Sequence, residues 1–122
     1  MTIMQNKIQD VSALTRTYDL LLWIIPLLEK FPRSQRFLLG ERIESTFLDI
    51  MELLIQATYS KNKANILKQA NLKLETSRYL IRLSKDLRYL GIKKYEYISK
   101  SLNEIGTEVG GWLKYSRSHQ KR

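Results

Sequence analysis

The chain has 122 residues, no cysteine and a formal net charge of +9, with 21 lysines and arginines against 12 aspartates and glutamates. The lack of cysteine excludes disulfide bonds, thiolate catalysis and cysteine-type zinc sites. A chain of this length forms one domain, so we expect a single domain over 1–122. Its basic character favours an anionic partner, most often nucleic acid and less often an acidic membrane surface.

The positive charge is concentrated in the second half of the chain. Residues 1–60 carry six basic and seven acidic side chains, whereas residues 61–122 carry fifteen basic and five acidic ones. A charge that served solubility alone would have no reason to avoid one half. The distribution therefore indicates that the second half carries the binding surface.

The first predicted helix, about 10–30, contains the apolar run Leu20–Leu28. This run is shorter than the roughly 20 residues that span a bilayer, and no small-residue cleavage site follows it, so we expect a cytoplasmic protein. Apolar residues surround the helix on all sides, which is more than one four-helix layer can bury. We therefore predict an oligomer. Its interface is expected to include Leu22, Trp23 and Ile24.

The connection to the second predicted helix, about 34–59, is the segment FPRSQRFLLGERIE at Phe31–Glu44. Pro32 suits a first helical turn, and Ser34 is the predicted N-cap. Gly40 lies inside the helical pattern, where glycine costs about 1 kcal/mol relative to alanine. We interpret it as a packing glycine in a helix–helix connection.

The third and fourth predicted helices cover about 64–89 and 93–117, and a basic frayed tail is expected at 118–122. Gly91, between them, suits a left-handed C-cap. Gly106 and Gly110 share one face of the fourth helix and indicate close packing against a neighbouring helix. Four long helices with short connections predict an all-α, antiparallel, up-down-up-down four-helix bundle.

Catalytic and metal-binding patterns are missing from the sequence. The one histidine, His119, lies in the basic tail without a residue to orient it, and the inward Glu-x-x-His pairs of di-iron bundles do not occur. There is no Walker loop, dinucleotide-binding glycine motif or nucleophile elbow. We expect no enzyme, no cofactor and no metal.

Basic residues of the third and fourth helices are candidates for nucleic-acid contacts. Those of the third helix follow helical spacing along the side opposite its predicted core stripe. Cations in such a row can meet successive phosphates, and each contact releases counterions. The predicted nucleic-acid-binding residues are Lys68, Arg78, Arg82, Lys85, Arg88, Lys93, Lys94, Lys100, Lys114 and Arg117.

Four tyrosines lie among these cations: Tyr79, Tyr89, Tyr97 and Tyr115. A tyrosine ring can stack on an unpaired base, which contributes about 1–3 kcal/mol per base. The alternative is a solvated face whose tyrosines pack at helix edges.

Three segments together carry a resemblance to a known family. They are FPRSQRFLLGERIE at Phe31–Glu44, RYLIRLSKDL at Arg78–Leu87 and EIGTEVGGWLK at Glu104–Lys114. In this order and spacing the chain resembles the accessory variability determinant (Avd) family of diversity-generating retroelements over almost its whole length. Proteins encoded in 23S ribosomal RNA intervening sequences share the same bundle.

The resemblance implies properties that periodicity does not. Avd proteins are four-helix bundles that assemble into barrel-shaped homopentamers with strongly basic surfaces. They associate with the element's reverse transcriptase and bind nucleic acid, including the template-repeat RNA, with DNA or an RNA–DNA hybrid as a further expected partner. They are non-catalytic, they are needed for mutagenic retrohoming, and no membrane is involved.

Two other functions remain open at this point. One is a ribosomal-RNA-associated bundle of the intervening-sequence type, without a polymerase partner. The other is a protein-only scaffold whose basic face meets an acidic partner protein and has no affinity for RNA.

Overall fold

The computed structural model describes the backbone of residues 2–119 and the side-chain environment of residues 12–119. The elements in chain order are α1 (Thr2–Leu28), α2 (Arg33–Gln35), a π-helical turn (Arg36–Gly40), α3 (Glu41–Tyr59), α4 (Lys63–Asp86) and α5 (Ile92–Ser118). No strand occurs between residues 2 and 119. The all-α prediction with four long helices is therefore confirmed.

The four long helices pack around one apolar core. α1 and α4 each contact both α3 and α5, and consecutive long helices are neighbours joined by short connections. This is the antiparallel up-down-up-down arrangement. Every long helix contributes fully buried side chains, such as Ile24, Phe47, Ile81 and Trp112.

The entry into α3 differs from the predicted N-cap. Ser34 lies inside α2, and the residue before that helix is Pro32, with an extended ψ of 142° and no side-chain cap. The Pro32 carbonyl accepts hydrogen bonds from the backbone N–H groups of Gln35 at 2.8 Å and Arg36 at 3.0 Å. The prediction that Ser34 caps this helix is wrong because the proline carbonyl already begins the turn.

Gly40 ends the π-helical turn and is buried against α1, as a packing glycine should be. A Cβ at this position would lie 3.8 Å from the carbonyl oxygen of Leu28 and 3.6 Å from that of Gln35. These are ordinary van der Waals distances. The site is closely packed, yet an alanine would fit there.

Of the three residues predicted at the oligomer interface, the fold buries one and leaves two exposed. Ile24 is fully buried in the core of the single chain, so its placement at a subunit surface is wrong: the other core side chains already cover it. Leu22 is 61% exposed and Trp23 is 36% exposed. The Trp23 ring lies 4.5 Å from the Tyr97 ring of α5, centroid to centroid. Leu22 and Trp23 remain available for an interface, and assembly stays a prediction.

Some sequence-based expectations fall on residues that are not described. The first residues of the first predicted helix, 10–11, lie outside the described side chains, and so do residues 120–122 of the predicted tail. Within the described part of the chain, no helix is long and apolar enough to cross a membrane. The described residues also contain no cluster of His, Cys, Asp or Glu that could hold a metal ion.

Candidate nucleic-acid interface

The ten predicted cations lie on α4, on α5 or in the turn that joins these helices. Eight are exposed, whereas Arg78 and Lys85 are half-buried. Five lie toward the end of the bundle where α4 ends and α5 begins: Arg82, Lys85, Arg88, Lys93 and Lys94. Three lie toward the other end: Lys68, Lys114 and Arg117. Arg78 and Lys100 lie between these groups, so the cations extend along both helices.

Arg78 lies across the boundary between α4 and α5, not opposite the core as its helical position predicted. Its Nη1 donates a hydrogen bond to Oε1 of Glu75 at 2.9 Å. Its Nη2 donates to the backbone carbonyl of Leu102 on α5 at 3.4 Å. Because both ends of the guanidinium are held, Arg78 is a positioned cation rather than a freely moving one.

Within the single chain, the glycines of α5 do not mediate the predicted close packing of a neighbouring helix. A Cβ on Gly110 or Gly111 would meet no atom of a neighbouring element within 4 Å among the described residues. A Cβ on Gly106 would instead collide with the guanidinium of Arg78. Gly106 therefore makes room for an arginine side chain, and the close approach of two backbones was the wrong interpretation.

Arg82 and Lys85 share the carboxylate of Asp86. Nζ of Lys85 lies 3.2 Å from one oxygen of Asp86, and Nε of Arg82 lies 3.9 Å from the other. Lys85 also lies over the ring of Tyr95 on α5, with Nζ 4.8 Å from the centroid, which is a cation–π contact. Two cations on one carboxylate leave a net positive charge beside α5.

Arg88 ends α4 in the left-handed backbone conformation, with φ of 67°. Its N–H donates to the carbonyl of Lys85 at 2.9 Å, and the N–H of Tyr89 donates to the carbonyl of Ser84 at 2.9 Å. These two bonds form a Schellman motif, in which the left-handed residue is usually glycine. The left-handed role predicted for Gly91 is wrong, because Gly91 is extended and directly precedes α5.

Cations from both halves of the chain meet at one end of the bundle. The α1–α3 connection and the α4–α5 turn both close this end, and the rings of Phe31 and Tyr89 lie 5.7 Å apart, centroid to centroid. We call this cluster the basic end. Its members, all exposed, are Arg33, Arg36, Arg88, Lys93 and Lys94.

Arg33 and Arg36 are absent from the predicted binding residues because a charge count along the chain places them in the neutral half. The position of Arg33 and Arg36 could have been predicted from the topology of the bundle. In an up-down-up-down bundle the first and third connections close the same end, so their charges must be counted together.

Two acidic residues of α5, Glu104 and Glu108, are directed to α1 and paired there. Arg16 donates from Nε to Glu108 at 2.7 Å and from Nη1 to Glu104 at 3.0 Å. The hydrogen bond to Glu108, with the charge of that carboxylate, raises the pKa of Arg16 above its ordinary value. Two of the acids in the basic half are thus neutralised on the side of α5 that faces α1.

Three of the four tyrosines predicted to stack on bases already pack against another ring: Tyr89 on Phe31, Tyr97 on Trp23 and Tyr115 on His119. The expectation that His119 lacks a partner is therefore wrong, and Nδ1 of this histidine also lies 2.9 Å from the Tyr115 carbonyl oxygen. Tyr79 differs from these three, because it is 62% exposed on α4. A fifth ring, Tyr95 of α5, is half-buried beside α4.

Comparison with known families assigns the chain to a group. A family model described as bAvd-like matches residues 4–116, which is most of the chain. The chain belongs to the bAvd-like family. No curated protein and no solved structure matches it.

Membership in the bAvd-like family confirms the resemblance to Avd proteins. The structure shows where the three segments that carried the resemblance lie. Phe31–Glu44 forms the turn before α3, while Arg78–Leu87 and Glu104–Lys114 lie on adjacent helices and meet where Arg78 covers Gly106. The family thus points to an accessory role in a diversity-generating retroelement.

Proposed function

We propose that the chain is a non-catalytic accessory protein of a diversity-generating retroelement. It binds the element's RNA, either the template-repeat RNA or an RNA–cDNA hybrid, and it binds the element's reverse transcriptase. In this way it supports mutagenic reverse transcription and retrohoming. Its subunits assemble into a homopentamer, to which Leu22 and Trp23 offer exposed apolar surface. Family membership supports the accessory role.

The observation that carries the RNA-binding part of the proposal is the basic end. Five exposed cations lie there together, on two connections that are distant in sequence. A cluster of exposed lysines and arginines attracts the phosphate backbone and releases its counterions on binding. The cations that continue along α4 and α5 extend this surface beyond the basic end.

The backbone conformation of Arg88 independently supports a binding role for the basic end. An L-residue in the left-handed conformation costs roughly 1–2 kcal/mol, and a glycine would avoid that cost. Strain of this kind is concentrated at functional sites, because the surrounding structure must compensate for it. An arginine at this position keeps a cation at the tip of the α4–α5 turn.

The test is RNA binding by the purified protein, followed by fluorescence anisotropy across a salt series. The variant Arg33→Gln/Lys93→Gln/Lys94→Gln removes three cations of the basic end. The control variant Thr15→Glu/Gln56→Glu/Asn62→Glu adds three acids at exposed positions away from that end, so both variants carry the same net charge. Each lost phosphate contact should reduce the log–log salt slope by about 0.7 on single-stranded RNA.

The expected result is a shallower slope and weaker binding for the first variant only. Equal effects of the two variants would mean that overall charge, and not the basic end, determines affinity. If the wild-type protein does not bind RNA but co-purifies with the reverse transcriptase, the basic surface serves a protein partner instead. RNA binding without co-purification would favour a bundle of the ribosomal-RNA-associated type.

A further inference from the structure

A groove of about 270 Å³ lies between α4 and α5, alongside Arg78. Its lining combines two guanidinium groups, one carboxylate, two tyrosine rings, a hydroxyl and an amide: Arg78, Arg82, Glu75, Tyr79, Tyr95, Ser99 and Asn103. We infer that this groove binds one unpaired nucleotide of a single-stranded RNA. The inference rests on the proposed function, because it names a specific site within the RNA-binding surface.

The groove has a wall that is fixed before any ligand arrives. Arg78 is held by Glu75 and by the carbonyl of Leu102, and the missing side chain at Gly106 gives its guanidinium the space to lie there. A side chain that is already ordered loses little further entropy on binding. Since Glu75 compensates the charge of Arg78, this wall orients a ligand more than it attracts one.

The attraction for a phosphate comes from Arg82. It is exposed at the edge of the groove, and its nearest carboxylate contact, to Asp86, is long at 3.9 Å. Asp86 is also held more closely by Lys85, at 3.2 Å. The planar guanidinium of Arg82 can therefore turn to a phosphate and donate two parallel hydrogen bonds to it.

The base is held by the tyrosines. Tyr79 presents an exposed ring at the groove, and such a ring is a stacking platform for any base. Tyr95 lies on the opposite helix, where Lys85 covers one face of its ring. A tyrosine from each helix gives the groove aromatic sides suited to a flat ligand.

The polar groups of α5 suit the edge of a base. Ser99 and Asn103 are neutral, and together they offer hydrogen-bond donors and acceptors. Two guanidiniums alone would accept any phosphate. The addition of aromatic rings and neutral polar groups favours a nucleotide over a simple anion. The volume lies just below the roughly 300–1,000 Å³ of drug-sized pockets, a size suited to a single nucleotide.

The test compares a short single-stranded RNA with an oligonucleotide of the same length whose bases have been removed, because the two carry the same phosphates. Their anisotropy is measured with the wild-type protein, Tyr79→Ala and Tyr79→Phe. The matched control is Tyr59→Ala, which removes another highly exposed tyrosine at the end of α3. Circular dichroism verifies the helical content of each variant.

We expect the wild-type protein to bind the intact strand about tenfold more tightly than the abasic one, which corresponds to one stacked base. Tyr79→Ala should remove that difference, while Tyr79→Phe and Tyr59→Ala should preserve it. Equal affinity of the wild-type protein for the two strands would overturn the inference. A Tyr79→Ala result no different from that of Tyr59→Ala would also overturn it.

A second measurement does not depend on RNA binding by the whole surface. Adenosine monophosphate and ribose 5-phosphate are titrated separately into isotope-labelled protein and followed by NMR. The backbone amides of Ser99 and Asn103 should shift with the nucleotide and much less with the sugar phosphate. If these shifts occur but RNA does not bind, the groove is supported and the proposed function fails. If RNA binds with a steep salt dependence but the nucleotide causes no shift, the proposed function stands and the groove inference is wrong.

Discussion

The guanidinium of Arg78 occupies the space that a side chain at Gly106 would need. A Cβ built on Gly106 would lie 2.5 Å from Nη2 of Arg78, which is closer than Cβ atoms approach other heavy atoms. Nη2 is the far end of a flexible side chain, so it can move at little cost. A substitution at position 106 therefore shifts the arginine and leaves the backbones of α4 and α5 in place.

Gly106→Ala should consequently weaken RNA binding with little effect on the stability of the fold. Alanine gains about 1 kcal/mol of helix propensity, which offsets the loss of the long hydrogen bond from Arg78 to Leu102. We expect the free energy of unfolding to change by less than about 1 kcal/mol in urea denaturation. RNA affinity should fall, because Arg78 leaves its position in the groove. Unchanged affinity would show that the position of Arg78 is irrelevant to RNA.

Gly110→Ala should stabilise the isolated subunit. No neighbouring element among the described residues lies within 4 Å of a Cβ at this position. The substitution therefore gains helix propensity without a clash, and we expect about 0.5–1 kcal/mol of added stability by urea denaturation. A loss of stability would instead reveal that another subunit packs closely on Gly110 in the assembled protein.

Arg88→Gly should make the protein more stable and its RNA binding weaker. Glycine relieves the left-handed strain, and its greater backbone entropy in the unfolded chain cancels part of that gain, leaving about 1 kcal/mol. The lost cation should lower the salt slope by about 0.7 if Arg88 contacts one phosphate. Thermal denaturation and the anisotropy series measure the two effects.

Arg88→Asn is the control for that substitution, because asparagine tolerates the left-handed conformation and carries no charge. Both variants should lose RNA affinity to the same extent. A loss confined to the glycine variant would trace the effect to backbone flexibility, and the cation would then have no part in it.

Ile24→Ala should destabilise the subunit, whereas Leu22→Lys should disrupt only the assembly. Ile24 is fully buried, so its truncation should cost roughly 2–5 kcal/mol of stability. Leu22 is exposed, so a lysine there should leave the fold of the subunit intact and reduce the mass of the assembly measured by light scattering. Leu72→Lys, at an equally exposed leucine of α4, serves as the control. A full-size oligomer from Leu22→Lys would remove this residue from the interface.

Helical periodicity alone was enough to predict the bundle. Stripes such as Ile98, Leu102, Ile105 and Val109 recur every three or four residues, and the structure buries all of them. The apolar surplus of α1 was harder to interpret. Ile24 was predicted to face a neighbouring subunit because it lies off the stripe of apolar residues spaced three or four apart. The face that a bundle helix buries is wider than that stripe, and it includes Ile24.

The candidate site was harder to predict from the sequence than the fold was, for a different reason. Spacing along α4 indicates which cations share a face, but it does not tell where α5 lies. Arg78 was therefore taken for a free cation, although α5 provides its acceptor at Leu102. The link between Arg33 and the α4–α5 turn depends on which connections share an end, a property of topology that no local pattern contains.

The π-helical turn at Arg36–Gly40 directly precedes α3. Such a turn accommodates one more residue than an α-helical turn. Deleting one residue between Arg36 and Gly40 would let the segment continue as an ordinary α-helix into α3. Each residue of a regular α-helix advances about 100° around the axis, so a deletion inside α3 would rotate everything before it, whereas the wider turn absorbs its extra residue and a deletion there would leave the phase of the flanking residues unchanged. Arg33 would then keep its place at the basic end with no change in charge, so the deletion tests whether RNA binding needs the widened turn itself.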